Sequence, residues 1–244
     1  MAEPSQARPA VVGILGGMGP EATVDLMRRV IAATPARDDV DHVHMLVDNN
    51  PGVPSRIAAL IDGTGASPLP ELVRMAKGLA ANGATMLAMP CNTAHYYADG
   101  LVEAVPLPFL NMVALSVERI AALMPAGTRV GLLASTAVFK IGLYEQAFKR
   151  RGLSIGAPDR QDEVMALIRA VKTGDTGAAQ RRVLAEIAEQ LVQSGAGVIL
   201  VACTELSIMA DSIEARVPVL DALDVLAEEI VTRVKGVGTS HLRT

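Results

Sequence analysis

Cys91 and Cys203 are the two cysteines of this chain, and they stand in matching sequence contexts. Each cysteine ends a short apolar run, and each run follows a turn of small residues that begins at Asn82 or at Ser194. An apolar run after a glycine turn is typical of a buried parallel strand. Ligands bind at the ends of such strands in an open α/β sheet. Two thiols at equivalent strand ends therefore predict a paired active site.

The two other interpretations of the cysteines are inert buried thiols and a metal site. Buried cysteines are often simple packing residues, but a matched pair flanked by hydroxyl and amide side chains argues against that role. His95 follows Cys91 by four positions, whereas Cys203 has no histidine nearby and no Cys-x-x-Cys motif occurs. Because a zinc site needs more ligands at closer spacing, we predict no metal site.

The segments around the cysteines alternate between apolar runs and amphipathic stretches. A strand at residues 11–15 and a glycine turn at 16–20 open the chain, and residues 129–136 mirror residues 11–18. Alternating strands and helices imply parallel sheets. We therefore expect an α/β protein of two pseudo-symmetric αβα domains with the active site in the interdomain cleft. The predicted first domain is 1–113 plus 220–244, and the second is 114–219.

Composition excludes several classes of partner. The chain has 244 residues and a formal net charge of −4, without the clustered basic stripe of a nucleic-acid surface. No stretch approaches the roughly 18 apolar residues that a membrane span needs, and residues 1–9 lack the apolar core of a signal peptide. We expect a cytoplasmic protein without nucleic-acid or membrane partners, in which a permanent disulfide is disfavoured.

Five motifs resemble the aspartate/glutamate racemase superfamily, and within it the aspartate racemase branch. They are Gly16–Pro20, Asn49–Pro51 with Arg56, Pro90–His95, Val171–Gly174 and Ala202–Leu206. The resemblance extends from about Val11 to Lys235. Glutamate racemases typically carry a histidine after the second Cys-Thr pair, where this chain has Glu205, so the resemblance favours the aspartate branch.

The resemblance implies a pyridoxal-independent amino-acid racemase that needs no cofactor and is usually a homodimer. Cys91 and Cys203 would be the catalytic residues on opposite faces of the substrate α-carbon. One, as a thiolate, removes the α-proton, and the other, as a thiol, returns a proton to the opposite face. Aspartate is the expected substrate, with glutamate or a broader set of amino acids left open.

The resemblance also implies a set of substrate-binding residues. They are Met18, Asn50, Arg56, Asn92, Thr93, Ser135, Lys172, Thr204 and Glu205. The amide and hydroxyl side chains after the cysteines would hold the α-carboxylate, Glu205 the ammonium, and Arg56 with Lys172 a side-chain carboxylate. The branch often has Ala-Thr-x-Gly-Thr where this chain has Ala134–Val138, so the hydroxyl of the last threonine is lost or shifted.

Other functions stay open from the sequence. A maleate-type isomerase or a decarboxylase of the same superfamily would use a single cysteine. A non-catalytic amino-acid-binding protein would keep the pocket without thiol chemistry. A Cys-His hydrolase is less favoured, because His95 lies one helical turn from Cys91 and is expected to point along the helix.

Overall fold

The structure is a computed structural model and describes residues 10–236. The strands are β1 (Val11–Gly16), β2 (His44–Asn49), β3 (Met86–Ala88), β4 (Phe109–Leu110), β5 (Arg129–Leu133), β6 (Ser154–Gly156), β7 (Val198–Val201) and β8 (Val219–Asp221). The helices are α1 (Pro20–Ala33), α2 (Leu69–Ala81), α3 (Ala98–Ala104), α4 (Met112–Leu123), α5 (Thr136–Lys140), α6 (Glu145–Arg150), α7 (Gln161–Lys172), α8 (Ala178–Gln193), α9 (Thr204–Ser207) and α10 (Ala222–Lys235). Short 3₁₀ helices at Asp39–Asp41, Thr93–Tyr97 and Ala210–Ser212 and a π-helical turn at Ala58–Asp62 join them.

The strands form two four-stranded sheets, and every pairing in both sheets is parallel. The first sheet has the order β2-β1-β3-β4 and the second the order β6-β5-β7-β8. Each strand of the first sheet thus has a counterpart four strands later in the chain. The α/β fold with two parallel sheets and the internal repeat are confirmed. We call the part of the chain built on the first sheet the first lobe and that on the second the second lobe.

Gly13 and Gly131 show that the repeat extends to the packing of single residues. A Cβ atom at Gly13 would lie 3.0 Å from the Cβ of Ala84, and one at Gly131 would lie 3.0 Å from the Cβ of Ala196. Both alanines stand in the small-residue turns before β3 and β7. The first strand of each lobe must therefore lack a side chain at this register for the turn to pack against it.

One hydrophobic core joins the two lobes. It contains Val12 and Val198 from the two sheets together with Leu26 of α1, Ile120 of α4 and Leu226 of α10. Helix α10 packs against α1 and α4, so these three helices lie in the shared core. The outer face of the first sheet is covered by α2, and that of the second by α7 and α8. This shared core holds the ends of the two sheets beside one another.

The predicted domain boundaries fall inside two elements. The division after residue 113 lies within α4, and the division after residue 219 lies within β8. Strand β8 pairs with β7, so residues 220 and 221 belong to the second sheet and not to the first domain. Helix α10, which follows β8, packs on α1 of the first lobe. Residues 1–9 and 237–244 of the predicted first domain lie outside the described residues.

Among the helices within residues 10–236, none is both long and apolar enough to cross a membrane.

Candidate active site

A cavity of about 60 Å³ lies between the two lobes at the carboxyl ends of their inner strands. Met18 follows β1, Cys91 follows β3, Ser135 follows β5 and Cys203 follows β7. The lining residues are Met18, Ser55, Arg56, Ile57, Cys91, Asn92, Thr93, Ser135, Ile168, Lys172, Ala202, Cys203, Thr204 and Glu205. This is the position at which parallel α/β sheets bind ligands. A cavity of this size suits a small molecule.

All of the predicted site residues except Asn50 line this cavity. The Asn50 side chain is held in its own loop, where Nδ2 donates to Glu71 Oε1 at 2.6 Å and Oδ1 accepts from the Gly52 N–H at 2.9 Å. Both ends of its amide are therefore engaged away from the cavity. The structure does not bring Asn50 together with the other predicted binding residues.

Asn50 instead supports the glycine turn that delivers Met18 to the cavity. Gly17 has a positive φ of 88°, and a Cβ atom there would lie 2.2 Å from the Asn50 backbone. The Gly17 N–H donates to Thr23 Oγ1 at 2.9 Å, which ties the turn to the first helical turn of α1. Only glycine fits this position, because the backbone is left-handed and the space is filled.

The His95 side chain is hydrogen-bonded to the backbone of Cys91. Its Nε2 accepts from the Met112 N–H at 3.0 Å, so the ring proton is on Nδ1, which donates to the Cys91 carbonyl at 2.8 Å. Burial lowers the pKa of His95 to about 4, although the bond to the Cys91 carbonyl opposes the shift. The imidazole is therefore neutral at pH 7 and both nitrogens are engaged. This arrangement gives His95 no path to act as a base for the Cys91 thiol.

The Cys91 thiol lies near a cation. Burial raises the pKa of Cys91, while the positive charge of Arg56 lowers it and the negative charge of Glu205 raises it. Arg56 Nη1 donates to the carbonyl oxygens of Val53 at 3.2 Å and Pro54 at 3.0 Å. Because both acceptors are neutral backbone groups, these bonds orient the guanidinium without neutralising its charge. Arg56 thus favours the thiolate form of Cys91.

The Cys203 thiol lies near a carboxylate. Its Sγ donates to Glu205 Oε2 at 3.2 Å, and Lys172 Nζ lies 3.6 Å from Glu205 Oε1. Burial, followed by the charge and hydrogen bond of Glu205, raises the pKa of Cys203 well above its ordinary value. The N–H groups of Glu205 and Leu206 at the start of α9 oppose this shift. Burial therefore favours the protonated form of both thiols, and the two differ because Glu205 adds to this effect at Cys203 while Arg56 opposes it at Cys91.

Side chains that line the cavity also join the lobes. Thr93 Oγ1 lies 3.4 Å from Ser135 Oγ, and Thr204 Oγ1 donates to the Pro90 carbonyl at 3.3 Å. Each bond crosses from one lobe to the other. Thr93 and Thr204, which closely follow Cys91 and Cys203, are therefore also contacts between the lobes.

Of the two hydroxyl side chains within Ala134–Val138, one lines the cavity. Ser135 lines the cavity, whereas Thr136 Oγ1 accepts from Gln161 Nε2 at 3.3 Å and is not a lining group. The next residue, Ala137, is buried in α5. One hydroxyl, that of Ser135, therefore remains at the end of β5.

Four lining residues escaped the sequence prediction: Ser55, Ile57, Ile168 and Ala202. Three of them could have been predicted from their positions relative to Arg56 and Lys172. Ser55 and Ile57 flank Arg56, and Ile168 lies four residues before Lys172 in α7, which places both on one helix face. Within residues 10–236, no three histidine, cysteine or acidic side chains are grouped so as to hold a metal ion.

The two similar α/β lobes each contribute one cysteine to the shared cavity. The family model described as Asp/Glu/Hydantoin racemase matches residues 15–230. The chain belongs to this family, and it is an amino-acid racemase, an isomerase.

Individual relatives agree with this assignment. The chain is 28% identical over 227 residues to the broad specificity amino-acid racemase RacX of Bacillus subtilis (strain 168), which covers 91% of this chain and 97% of that protein. It is similar to the structure of Picrophilus torridus aspartate racemase with a TM-score of 0.82 and 30% identity, over 93% of this chain and 94% of that one. A glutamate racemase from Francisella tularensis shares the fold, with a TM-score of 0.64 and 14% identity, over 93% of this chain and 82% of that one.

Proposed function

We propose that this protein interconverts L- and D-aspartate without a cofactor, using Cys91 and Cys203 as two proton carriers. One observation carries the proposal: both cysteines, at equivalent strand ends of the two lobes, line the same cavity. A racemase that works through two bases needs one proton carrier on each face of the α-carbon. A cavity with one thiol from each lobe supports that arrangement.

The proton transfer follows from the unequal surroundings of the two thiols. The Cys91 thiolate, favoured by Arg56, takes the α-proton, and the electron pair of the C–H bond delocalises into the substrate carboxylate. The Cys203 thiol then gives its proton to the opposite face of the α-carbon. The product enantiomer leaves the site with Cys91 protonated and Cys203 as the thiolate. The reverse reaction uses the two residues in exchanged roles.

Hydrogen-bond donors must offset the charge that develops on the carboxylate during this step. Asn92 and the backbone amides at the start of α9 are the groups available for that task. Both thiols are buried, so the reacting atoms are shielded from bulk water, which strengthens the electrostatic interactions inside the cavity.

The charges of the cavity support an acidic amino acid as the substrate. Arg56 presents a guanidinium whose Nη1 donates to two neutral backbone carbonyls, and guanidinium groups bind carboxylates in two-point contacts. We propose that Arg56 and Lys172 bind the side-chain carboxylate of aspartate and that Glu205 receives the ammonium group. The 30% identity to an aspartate racemase supports this substrate. The broad specificity stated for the Bacillus subtilis relative makes a panel of amino acids the necessary test.

Two further properties belong to the same proposal. The resemblance to aspartate racemases supports a homodimer that works in the cytoplasm. Light scattering of the purified full chain would give the mass of the assembly, and a monomer would contradict the first of these statements.

Circular dichroism of L-aspartate incubated with the pure protein tests the proposed activity. After exhaustive dialysis against a chelator, the signal should still decay to zero as a racemic mixture forms. Chromatography of the same sample separates the other outcomes. A new compound would indicate an isomerase or a decarboxylase of another type, and unchanged L-aspartate would indicate a binding protein. Activity that returns only with an added metal or pyridoxal phosphate would contradict the cofactor-independent mechanism.

A further inference from the structure

Asn92 is the residue of the cavity wall whose hydrogen bonding is left incomplete. It lines the cavity, yet it is only 3% exposed. Its Oδ1 accepts a hydrogen bond from the Tyr144 hydroxyl at 2.6 Å, while its Nδ2 has no partner among the described residues. A buried amide nitrogen without an acceptor costs free energy. An acceptor supplied by a ligand would remove that cost.

Tyr144 decides which end of the Asn92 amide is available. The phenol comes from the second lobe, just before α6, and is only 1% exposed. Burial raises the pKa of Tyr144 well above its ordinary value, so the hydroxyl keeps its proton and can donate. A donor at this position binds the amide oxygen and leaves the buried NH₂ group without an acceptor among the described residues. Without it, the amide could rotate and present its oxygen, which would repel a carboxylate.

The equivalent position of the other lobe does not offer such a donor. Thr204 follows Cys203 as Asn92 follows Cys91, but its hydroxyl proton is used in the bond to the Pro90 carbonyl at 3.3 Å. Of the two residues that directly follow the cysteines, Asn92 is therefore the one whose side-chain donor has no partner among the described residues. An NH₂ group is suited to an acceptor with localised negative charge, and a carboxylate is the acceptor common to all amino acids.

We propose that Tyr144 is a positioning residue that holds the Asn92 amide so that Nδ2 donates into the cavity to a carboxylate of the amino-acid ligand. This inference rests on the proposed function, since it takes the ligand to be aspartate. It adds a residue that does not line the cavity and that carries no motif of its own. Its effect on the ligand is transmitted through one hydrogen bond between the lobes.

The test is a double-mutant cycle of Tyr144→Phe and Asn92→Ala in the full chain. Tyr144→Phe removes only the hydroxyl and should raise KM for aspartate, and the dissociation constant of racemic aspartate measured by calorimetry, by about tenfold, with a smaller change in kcat. In the Asn92→Ala background the same change should have less than about a twofold effect, because residues that act through one bond are not additive. Additive effects, or an unchanged dissociation constant, would overturn the proposal.

Two control variants separate the hydroxyl from general packing. Phe148→Leu disturbs the ring that stacks on Tyr144 with centroids 5.8 Å apart but keeps the hydroxyl. Tyr96→Phe removes a hydroxyl from a tyrosine that is 54% exposed. Both should leave the dissociation constant within about twofold of the wild type. An equal loss of binding in Phe148→Leu would mean that packing, and not the bond to Asn92, determines the effect.

A second measurement needs no Tyr144 variant and applies even if that variant fails to fold. In ¹⁵N-labelled wild-type protein, the side-chain NH₂ signal absent from Asn92→Ala should shift when racemic aspartate is added. Binding without a shift would overturn the inference. Binding and a shift without racemisation would overturn the proposed function alone. No binding of aspartate by the wild type would overturn both.

Discussion

Glu205 contacts both the thiol of Cys203 and the amine of Lys172, at 3.2 Å through Oε2 and at 3.6 Å through Oε1. Its side chain is therefore engaged before any substrate ammonium arrives. Because Arg56 acts on Cys91 in the opposite sense, the two cysteines stand in equivalent places of the repeat but in unequal electrostatic surroundings. In the proposed mechanism, this difference makes Cys91 the expected base and Cys203 the expected acid for the first proton transfer.

We expect Cys91→Ser and Cys203→Ser each to lower racemisation of aspartate by about a thousandfold or more, since each removes one of two proton carriers. Circular dichroism of L- and D-aspartate measures the loss. Each variant should still exchange the α-hydrogen of one enantiomer with solvent, seen by proton NMR in D₂O, because its remaining thiol works from one face. Near-native racemisation by either variant would contradict the two-base mechanism.

Removing the charge of Arg56 and removing that of Glu205 should shift the pH profile of kcat/KM in opposite directions. The rate requires one thiolate and one thiol, so its profile is bell-shaped with macroscopic pKa values. Burial raises the pKa of both cysteines, so the rising limb should lie at alkaline pH. Arg56→Ala removes the cation that lowers the pKa of Cys91 and should move this limb to higher pH. Glu205→Gln removes the charge that raises both pKa values and should move the profile to lower pH.

The control for this experiment is Glu214→Gln, which removes a carboxylate from an exposed residue outside the cavity lining. Its profile should overlay that of the wild type. A shift of the Glu205→Gln profile to higher pH would show that Glu205 does not act on the thiols as described.

Arg56→Ala should also weaken selection of the acidic substrate. Loss of one charge-assisted contact corresponds to about 1.5–3 kcal/mol, so kcat/KM for aspartate should fall by roughly ten- to a hundredfold. The same variant should lower kcat/KM for alanine and serine less, because these substrates lose only the effect of Arg56 on the pKa of Cys91. A panel of L-amino acids assayed with both proteins gives the comparison.

Arg28→Ala is a matched control for the loss of an arginine, because Arg28 is 69% exposed and lies 4.0 Å from Glu21 on the surface of α1. We expect it to leave every substrate unaffected. Equal rates of the wild type on aspartate and on neutral amino acids would contradict the acidic substrate while leaving the thiol mechanism in place.

A buried ion pair joins the lobes behind Cys203. Arg29 Nη1 lies 2.8 Å from Asp221 Oδ2 and 2.7 Å from Asp224 Oδ1, and Asp221 Oδ1 accepts from Ser207 Oγ at 2.7 Å. The Asp221 side chain is 5% exposed and that of Asp224 is 41% exposed. Removing one partner of a buried pair leaves an uncompensated group, whereas an exposed pair contributes little.

We therefore expect Asp221→Asn to lower the free energy of unfolding by about 2 kcal/mol, and Asp224→Asn by less than about 1 kcal/mol. Both substitutions preserve the shape of the side chain, so the difference reports charge and burial. Urea denaturation followed by circular dichroism measures it. Equal losses in the two variants would mean that burial does not distinguish the pairs.

The internal repeat, the parallel sheets and the pairing of Cys91 with Cys203 could all be predicted from the sequence. Apolar runs, glycine turns and motif spacing are local properties, and a constant offset between two halves requires equivalent positions in the fold. Most of the cavity lining was implied by the resemblance to the racemase superfamily, and many of these residues follow parallel strands, whose ends meet at one edge of a sheet.

What only the tertiary structure decided depends on contacts between distant segments. Asn50 lies in one of the motifs that predicted the site, but its side-chain amide donates to Glu71 outside the cavity. Tyr144 reaches Asn92 from the other lobe, across 52 positions of the chain. The difference between the two thiols arises in the same way, since their matching sequence contexts do not specify which charge lies beside each sulfur. The folded structure specifies these surroundings, because it buries both thiols and places Arg56 near Cys91 and Glu205 beside Cys203.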